Sequence, residues 1–536
     1  MSTAKKAGKI SLAVFGSRIL GLVREAVFAR FFGAGMASDA FRAAFKIPNL
    51  LRDLFAEGAL STAFVATFTK TLHKEGDAKG WHLANLVFTA QFIFLLVLVG
   101  LGIWFAPSMV EVIGGPLNMQ TKQLAISLTR VMFPFIMLVS AAAVAMGLLN
   151  AKGHFGLPAS ASMFFNLGSI VAGVGFAYLI DPTFGPRAIF GMALGVLVGG
   201  ALQFLVQVPT MLRLGFRFHW ILDFRNEKFL EVGRLLGPAV LGASAVQINV
   251  LVNTRFAAEV GTGAISWLEY AFRLMQFPIG LLGVAIATVT LPQVSRNVAE
   301  NNQLAFRQNL AKSLRLTWVL TLPAAVGLAV MAKPLIALLY ERGKFTFHDT
   351  QQTALALQAY TLGLAGYAAI KVITPAFYVL GDAKAPVRIS LFGIFLNIGF
   401  NFLAVKVLHW GHAGLALATS CVALLNFLQL SLTMSWKLEG LEGHQLVKTV
   451  GKTLVASLIM GGVVWSMNLV CRALSLGKEV EVFFPVGYGI FLGKVIEVLL
   501  PVGCGVFIFF LFAKWLRLHE GEEIWNGLQK RLRRRS

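Results

Sequence analysis

The sequence predicts an all-α protein that crosses a membrane many times, with about fourteen transmembrane helices. The chain has 536 residues, of which 57% are apolar and only 13% are charged, whereas soluble domains average about 25% charged residues. Its apolar residues fall in stretches of about 20 or more, long enough for a helix to cross a hydrocarbon layer of roughly 30 Å. This composition excludes a soluble enzyme.

Polar residues, glycines and prolines separate the apolar stretches. The predicted helices cover 10–32, 36–69, 84–106, 124–149, 159–180, 187–211, 232–258, 265–293, 315–336, 351–379, 386–407, 412–435, 449–472 and a last segment within 483–513. Interruptions such as Pro48 and Phe277-Pro278-Ile279-Gly280 are typical of helices that bend.

Lys and Arg are concentrated in alternate connections, among them 212–231 and 294–314. The positive-inside rule makes these connections cytoplasmic, so we expect both termini to be cytoplasmic. The N-terminal segment has no small-residue cleavage site after a short apolar core and is expected to stay as the first helix. The basic tail KRLRRRS is expected to lie against anionic lipid rather than to bind nucleic acid.

A tandem repeat occurs near the C-terminus. Residues 476–491 and 492–507 are identical at ten of sixteen positions. Either copy can begin the last helix. We place that helix over about 493–513, because a full extra crossing would put the basic tail outside.

Ionisable residues inside the apolar helices carry the functional signal, since each costs about 2.5–3.5 kcal/mol at a bilayer centre. Polar side chains recur at steps of three and four in the second helix, at Asp39, Arg42, Lys46, Asn49, Asp53 and Glu57. This spacing places them on one helix face. The face lines either a hydrated cavity or a row of structural ion pairs between helices.

Further charges lie in the first and eighth helices. Arg18 and Arg24 are six residues apart, about 120° off a common face, whereas Glu269 and Arg273 share one face. A guanidinium stays protonated when desolvated and binds phosphate oxygens through a fork of donors. Several arginines in a membrane cavity therefore favour a diphosphate ligand.

No motif for catalysis or nucleotide hydrolysis is present: the sequence lacks G-x-x-x-x-G-K-[ST], H-E-x-x-H and G-x-S-x-G. Cys421, Cys471 and Cys504 are far apart and predict neither a disulfide framework nor a zinc site. We therefore expect no catalytic residue, no metal and no cofactor.

Several motifs resemble the MurJ (MviN) lipid II flippases of the multidrug/oligosaccharidyl-lipid/polysaccharide exporter superfamily. They are SRILGLVRE at 17–25, FGAG at 32–35, SDAF at 38–41, PNLLR at 48–52, FAEGA at 55–59, YAFRLM at 270–275 and YERGKFT at 340–346. The resemblance implies two six-helix lobes around a central cationic cavity, followed by two helices that form a groove for the lipid tail. The expected domains are 1–211, a cytoplasmic linker at 212–231, 232–440, and 441–536 with the repeat and the tail.

The resemblance also implies roles for the ionisable residues. The diphosphate-sugar head would contact Arg18, Arg24, Arg52 and Arg273, with support from Asn49. The candidates for gating or charge pairing are Glu25, Asp39, Glu57 and Glu269. Glu25 stands where the family tends to have Asp, and Gln276 stands where an acidic residue is common.

The predicted function is the movement of undecaprenyl-diphosphate-linked peptidoglycan precursor, lipid II, from the inner to the outer leaflet of the bacterial inner membrane by alternating access. The expected partners are lipid II and membrane lipids, with the chain acting as a monomer. One alternative is a same-fold exporter of another polyprenyl-linked saccharide. The other is a polyprenyl-lipid glycosyltransferase, which would need a catalytic acid or metal ligand in a larger extramembrane loop.

Overall fold

The computed structural model describes residues 3–54, 59–473, 486–518 and 520–521, and all regular elements in these ranges are helical. The predicted all-α membrane fold is confirmed. Contacts divide the chain into two compact units, Met1–Ser266 and Trp267–Ser536.

The first unit contains eleven α-helices among its described residues. They are α1 Thr3–Phe32, α2 Met36–Arg52, α3 Ala59–Glu75, α4 Asp77–Trp104, α5 Ala106–Gly114, α6 Met119–Met132, α7 Phe135–Ala151, α8 Gly156–Ile180, α9 Ile189–Leu205, α10 Val208–Arg213 and α11 Glu227–Val260. A 3-10 turn, Pro186–Ala188, precedes α9. Residues 214–226, between α10 and α11, form no helix.

One core cluster of the first unit lies where α3, α4 and α7 meet, with Phe64, Phe68, Leu83 and Leu148 all buried. Helices α8 and α9 approach through glycines instead. A Cβ on Gly195 would lie 2.4 Å from the Cα of Gly173. Small residues at such positions let helix backbones approach closely inside a membrane.

The second unit continues the helical pattern. Its helices are α12 Ala264–Pro278, which begins at the end of the first unit, α13 Val284–Ala299, α14 Gln303–Val330, α15 Ala332–Leu339, α16 Phe347–Val379, α17 Lys384–Phe402, α18 Gly411–Lys437, α19 Gly443–Ala473 and α20 Val486–Trp515. Two π-helical turns, Ile279–Gly283 and Leu403–Val407, follow α12 and α17. A core cluster around Leu310, Leu314, Ile373 and Phe377 joins α14 to α16.

Several predicted helices are divided into shorter elements, and two of them carry predicted site residues. The stretch predicted as one helix at 36–69 contains α2, which ends at Arg52, and α3, which begins at Ala59. The stretch at 265–293 contains α12, the π-turn Ile279–Gly283 and α13. The second interruption falls at the Pro and Gly that the sequence marks as a bend, because Pro278 lacks the N–H needed to continue an α-helical ladder.

Eleven helical runs in the described part of the chain are long and apolar enough to cross a membrane. The predicted helices at 10–32, 36–69 and 232–258 are not among them, and the count of fourteen stays a prediction. The last run, Gly493–Trp515, begins in the second copy of the repeat and continues past the end of that copy. Most of the first copy, 476–485, lies outside the described residues.

Candidate functional site

The predicted site residues lie on three helices. α1 carries Arg18, Arg24 and Glu25, α2 carries Asp39, Asn49 and Arg52, and α12 carries Glu269 and Arg273. Arg18 is exposed, and Asn49 is half-buried. Glu57, predicted to gate or pair with the arginines, lies outside the described residues.

Three charged side chains of the first unit, Arg24, Glu25 and Arg42, contact one another, and we call them the Glu25 cluster. Glu25 accepts from Arg24 Nη2 at 3.2 Å through Oε1 and from Arg42 Nη2 at 3.1 Å through Oε2. The side chains of Glu25 and Arg42 are only 9% and 7% exposed. Two guanidinium groups thus share one carboxylate.

Aromatic rings hold both guanidinium groups of the Glu25 cluster in place. Arg24 Cζ lies 5.3 Å from the ring centre of Phe165 on α8, and Arg42 Cζ lies 5.4 Å from that of Phe28. Cation–π contacts strengthen when the cation is desolvated. Arg24 is the more accessible of the two, with 18% of its side chain exposed.

A second group, the Asp53 cluster, consists of Arg52, Asp53 and Gln247. Arg52 donates from Nε and Nη2 to Asp53 Oδ1, at 3.1 and 2.7 Å. Gln247 on α11 donates from Nε2 to Asp53 Oδ2 at 3.0 Å. The Arg52 and Asp53 side chains are 23% and 29% exposed, and the three side chains together are neutral.

Asp39, predicted as a gating or pairing residue, is buried against the start of α12. Its carboxylate accepts from the backbone N–H of Gly263, the backbone N–H of Ser266 at 3.0 Å and the Ser266 hydroxyl at 2.6 Å. Helix N-termini have N–H groups without helical partners and favour a carboxylate. Asp39 therefore serves as a cap supplied by a different helix. Because Asp39 and Arg42 are both buried, the first half of α2 is not a hydrated face.

In the second unit, α12 has one buried and one more accessible side. Tyr270 is fully buried, with its ring centre 4.9 Å from that of Tyr340 and 5.3 Å from that of Phe345. These contacts fix the rotation of the helix. Glu269 and Arg273, which helical spacing places on one face of α12, are both half-buried.

Two hydrogen-bond donors in these clusters, Arg42 and Gln247, were not predicted from the sequence to bind the carboxylates that they contact. Arg42 is in the polar series along α2, but helical periodicity gives no indication that it would bind the carboxylate next to Arg24. Gln247 is a single polar residue 194 positions from Asp53 and has no sequence signal. The described residues hold no group of three or more His, Cys, Asp and Glu side chains placed to bind a metal.

Many apolar spans, in a chain that also buries and pairs ionisable side chains, define a polytopic membrane transport protein. A sequence profile described as lipid II flippase MurJ matches residues 28–485. The chain belongs to the MurJ family of lipid II flippases. A lipid II flippase MurJ from Burkholderia cenocepacia is 37% identical to it over 423 residues, which cover 78% of this chain and 80% of that protein.

Solved structures agree with this assignment. A lipid II flippase MurJ in an inward closed conformation superposes with a TM-score of 0.77 at 26% identity, covering 95% of this chain and 98% of the other. An inward-facing multidrug resistance transporter of the MATE family and MOP superfamily gives a TM-score of 0.61 at 16% identity, covering 81% and 95%. The second likeness shows a shared fold alone.

Proposed function

We propose that this chain moves lipid II from the cytoplasmic to the periplasmic leaflet of the bacterial inner membrane by alternating access. Membership in the lipid II flippase family makes it a transporter and not an enzyme, so the glycosyltransferase considered from the sequence is excluded. The observation that carries the proposed mechanism is the Glu25 cluster, in which two guanidinium groups share one carboxylate and that of Arg24 is the more accessible.

The chemistry of the Glu25 cluster suits a diphosphate. A guanidinium has five N–H donors in a planar fork, and one Arg24 nitrogen is directed at Glu25 Oε1. Phosphate oxygens accept bidentate bonds from such a fork. Because Arg42 supplies a second charge to Glu25, Arg24 can turn toward a phosphate while Glu25 keeps a cationic partner.

The remaining roles follow from the family resemblance and belong to the same proposal. Arg18, Arg52 and Arg273 would contact the diphosphate-sugar head, with Asn49 in support. In the Asp53 cluster, Arg52 must exchange Asp53 for phosphate, and the partial exposure of both side chains favours that exchange. The proposed gating residues are Glu25, Asp39, Glu57 and Glu269.

The wider organisation also remains a proposal. It comprises two six-helix lobes at 1–211 and 232–440 around a cationic cavity, a linker at 212–231, and a C-terminal pair of helices at 441–536. Both termini would be cytoplasmic, and the chain would act as a monomer. The apolar runs Gly443–Cys471 and Gly493–Trp515 support the C-terminal pair.

The proposed function is tested in a bacterium whose own lipid II flippase can be depleted. Arg24→Ala, Arg52→Ala and Arg273→Ala are expected to abolish rescue of cell-wall synthesis and to leave lipid II in the inner leaflet. The matched control is Arg30→Ala, because Arg30 is an exposed arginine at the end of α1. Thermal unfolding of the purified variants separates lost transport from lost folding.

A normal amount of lipid II in the outer leaflet of cells carrying each of the three variants would contradict the proposed roles of these arginines. Failure of the unmodified chain to move lipid II, with transport of another polyprenyl-linked saccharide, would instead identify the alternative exporter.

A further inference from the structure

The connection between α10 and α11 has an unusual alternating sequence. Every second residue from Phe216 to Phe224 is large and apolar, in the run FRFHWILDF. Phe216 is buried, with its ring centre 5.9 Å from that of Trp81 and 5.5 Å from that of Phe88. The next four apolar residues in the alternation are 46–64% exposed, and these are Phe218, Trp220, Leu222 and Phe224.

Helix α4 fixes this segment through two buried polar side chains. Asn85 donates from Nδ2 to the carbonyl of Arg217 and accepts from the N–H of His219, both at 2.9 Å. Thr89, one turn later, accepts from the N–H of Ile221 through its hydroxyl oxygen at 3.3 Å. The segment is therefore held in an extended form. Successive side chains of an extended chain point to opposite sides, so Phe218, Trp220 and Leu222 share one side, and the ring centres of Phe218 and Trp220 are 5.1 Å apart.

The exposed side of the segment continues an apolar surface of α4. The ring centre of Trp220 lies 5.5 Å from that of Phe92, which is 43% exposed. Farther along α4, Phe94, Leu96 and Val97 are each more than half exposed. Because α4 is one of the apolar spans, this surface faces lipid. The segment thus adds its exposed aromatic side chains to this surface, at the part of α4 that contains Asn85, Thr89 and Phe92.

The charges of the segment favour acidic lipid. Arg213, Arg217 and Arg225 are exposed, and Asp223 is the one acidic residue between 212 and 226. Trp and Phe are enriched at the level of lipid headgroups, and nearby arginines are attracted to anionic headgroups. The segment therefore has both features expected of a chain that lies at the surface of an acidic membrane. Its exposed aromatic side chains suit the headgroup level, and its net positive charge suits anionic headgroups.

We propose that residues 213–225 bind acidic phospholipid at the membrane surface, with Trp220 at the boundary between headgroups and acyl chains. This site is separate from the transported substrate. It fixes the connection between α10 and α11 to the membrane by its own contacts with lipid.

The test uses the full-length protein in vesicles that contain phosphatidylcholine and phosphatidylglycerol but no lipid II. Bromine atoms, which quench tryptophan fluorescence on contact, are placed near the headgroup end of the acyl chains of one lipid or the other. The signal of Trp220 is obtained by subtracting the quenching of Trp220→Phe from that of the unmodified chain. The same subtraction with Trp104→Phe gives a matched control. Trp104 is 78% exposed at the other end of α4, and residues 83–121 contain no Lys or Arg.

We expect brominated phosphatidylglycerol to quench Trp220 about twofold or more beyond brominated phosphatidylcholine, because each arginine attracts acidic lipid. Trp104 should show no preference. In Arg217→Gln/Arg225→Gln the Trp220 preference should disappear, and in Arg217→Lys/Arg225→Lys it should remain. Equal quenching of Trp220 by the two lipids in the unmodified chain, or no quenching by either, would overturn the proposal.

Discussion

The Glu25 and Asp53 clusters begin from the same local sequence, an arginine followed by a carboxylate, yet they form different sites. Arg42 adds a second, buried cation to the Glu25 cluster, whereas Gln247 adds a neutral amide to the Asp53 cluster. Side-chain exposure is 7–18% in the first cluster and 23–29% in Arg52 and Asp53. Burial and the third partner, rather than the dipeptide, therefore distinguish the two clusters and set the energetic cost of disrupting each one.

The largest stability effect is expected from Glu25→Gln. It leaves Arg24 and Arg42 without their shared counter-charge, and removing one partner of a buried pair costs about 3–5 kcal/mol. The midpoint of thermal unfolding in detergent should fall sharply. Glu25→Asp keeps the charge and serves as the control, while Glu25→Gln/Arg42→Met should recover part of the loss. An unchanged midpoint in Glu25→Gln would show that water already solvates the cluster.

A smaller effect is expected where a buried carboxylate is bound mainly by N–H and O–H donors. Asp39→Ala removes the cap from the first turn of α12, and loss of such a cap costs about 1 kcal/mol, within a range of roughly 0.5–2 kcal/mol. The unfolding midpoint measures this loss. Asp39→Asn, which keeps one acceptor oxygen, should lie between Asp39→Ala and the unmodified chain. A loss as large as that of Glu25→Gln would mean that Asp39 acts mainly by its charge.

Asp53→Asn should have a smaller effect again. Its carboxylate is partly exposed, and such ion pairs contribute about 0.2–1 kcal/mol. The difference in unfolding midpoint between Asp53→Asn and Glu25→Gln directly tests the comparison of the clusters. Gln247→Ala provides the control, because it removes a neutral partner of the same carboxylate. Equal losses in Glu25→Gln and Asp53→Asn would contradict the role assigned to burial.

The smallest effect is expected at a pair in the second unit whose lysine is exposed. The Lys437 ammonium at 2.7 Å and the backbone N–H of Ala385 lower the pKa of Asp382. A carboxyl with a lowered pKa stabilises the fold above its unfolded pKa of about 3.9 and loses that contribution as pH falls through its folded pKa. When the pH is lowered to below about 4, the unfolding midpoint of Asp382→Asn should therefore decrease less than that of the unmodified chain. Parallel pH profiles would argue against the pair.

Sequence predicts the fold better than the individual partners. Uninterrupted apolar length is a local property, so the spans follow directly from composition along the chain. The polar series on α2 also places Asp39 and Arg42 on a common helix face, but not against their actual partners. Asp39 binds Gly263 and Ser266, more than two hundred positions away. Such pairings depend on helix packing, which periodicity within one helix does not encode.

The π-turn Ile279–Gly283 determines how α13 is oriented. At this turn the N–H of Val284 donates to the carbonyl of Ile279, so the turn contains one more residue than an α-helical turn. Each residue of an α-helix advances the direction of its side chain by about 100°. Deleting one residue there would rotate every later side chain of α13 by that angle and point Ile286, Thr290 and Val294 away from the interior they occupy. The inward stripe of α13 thus depends on a single additional amino acid upstream.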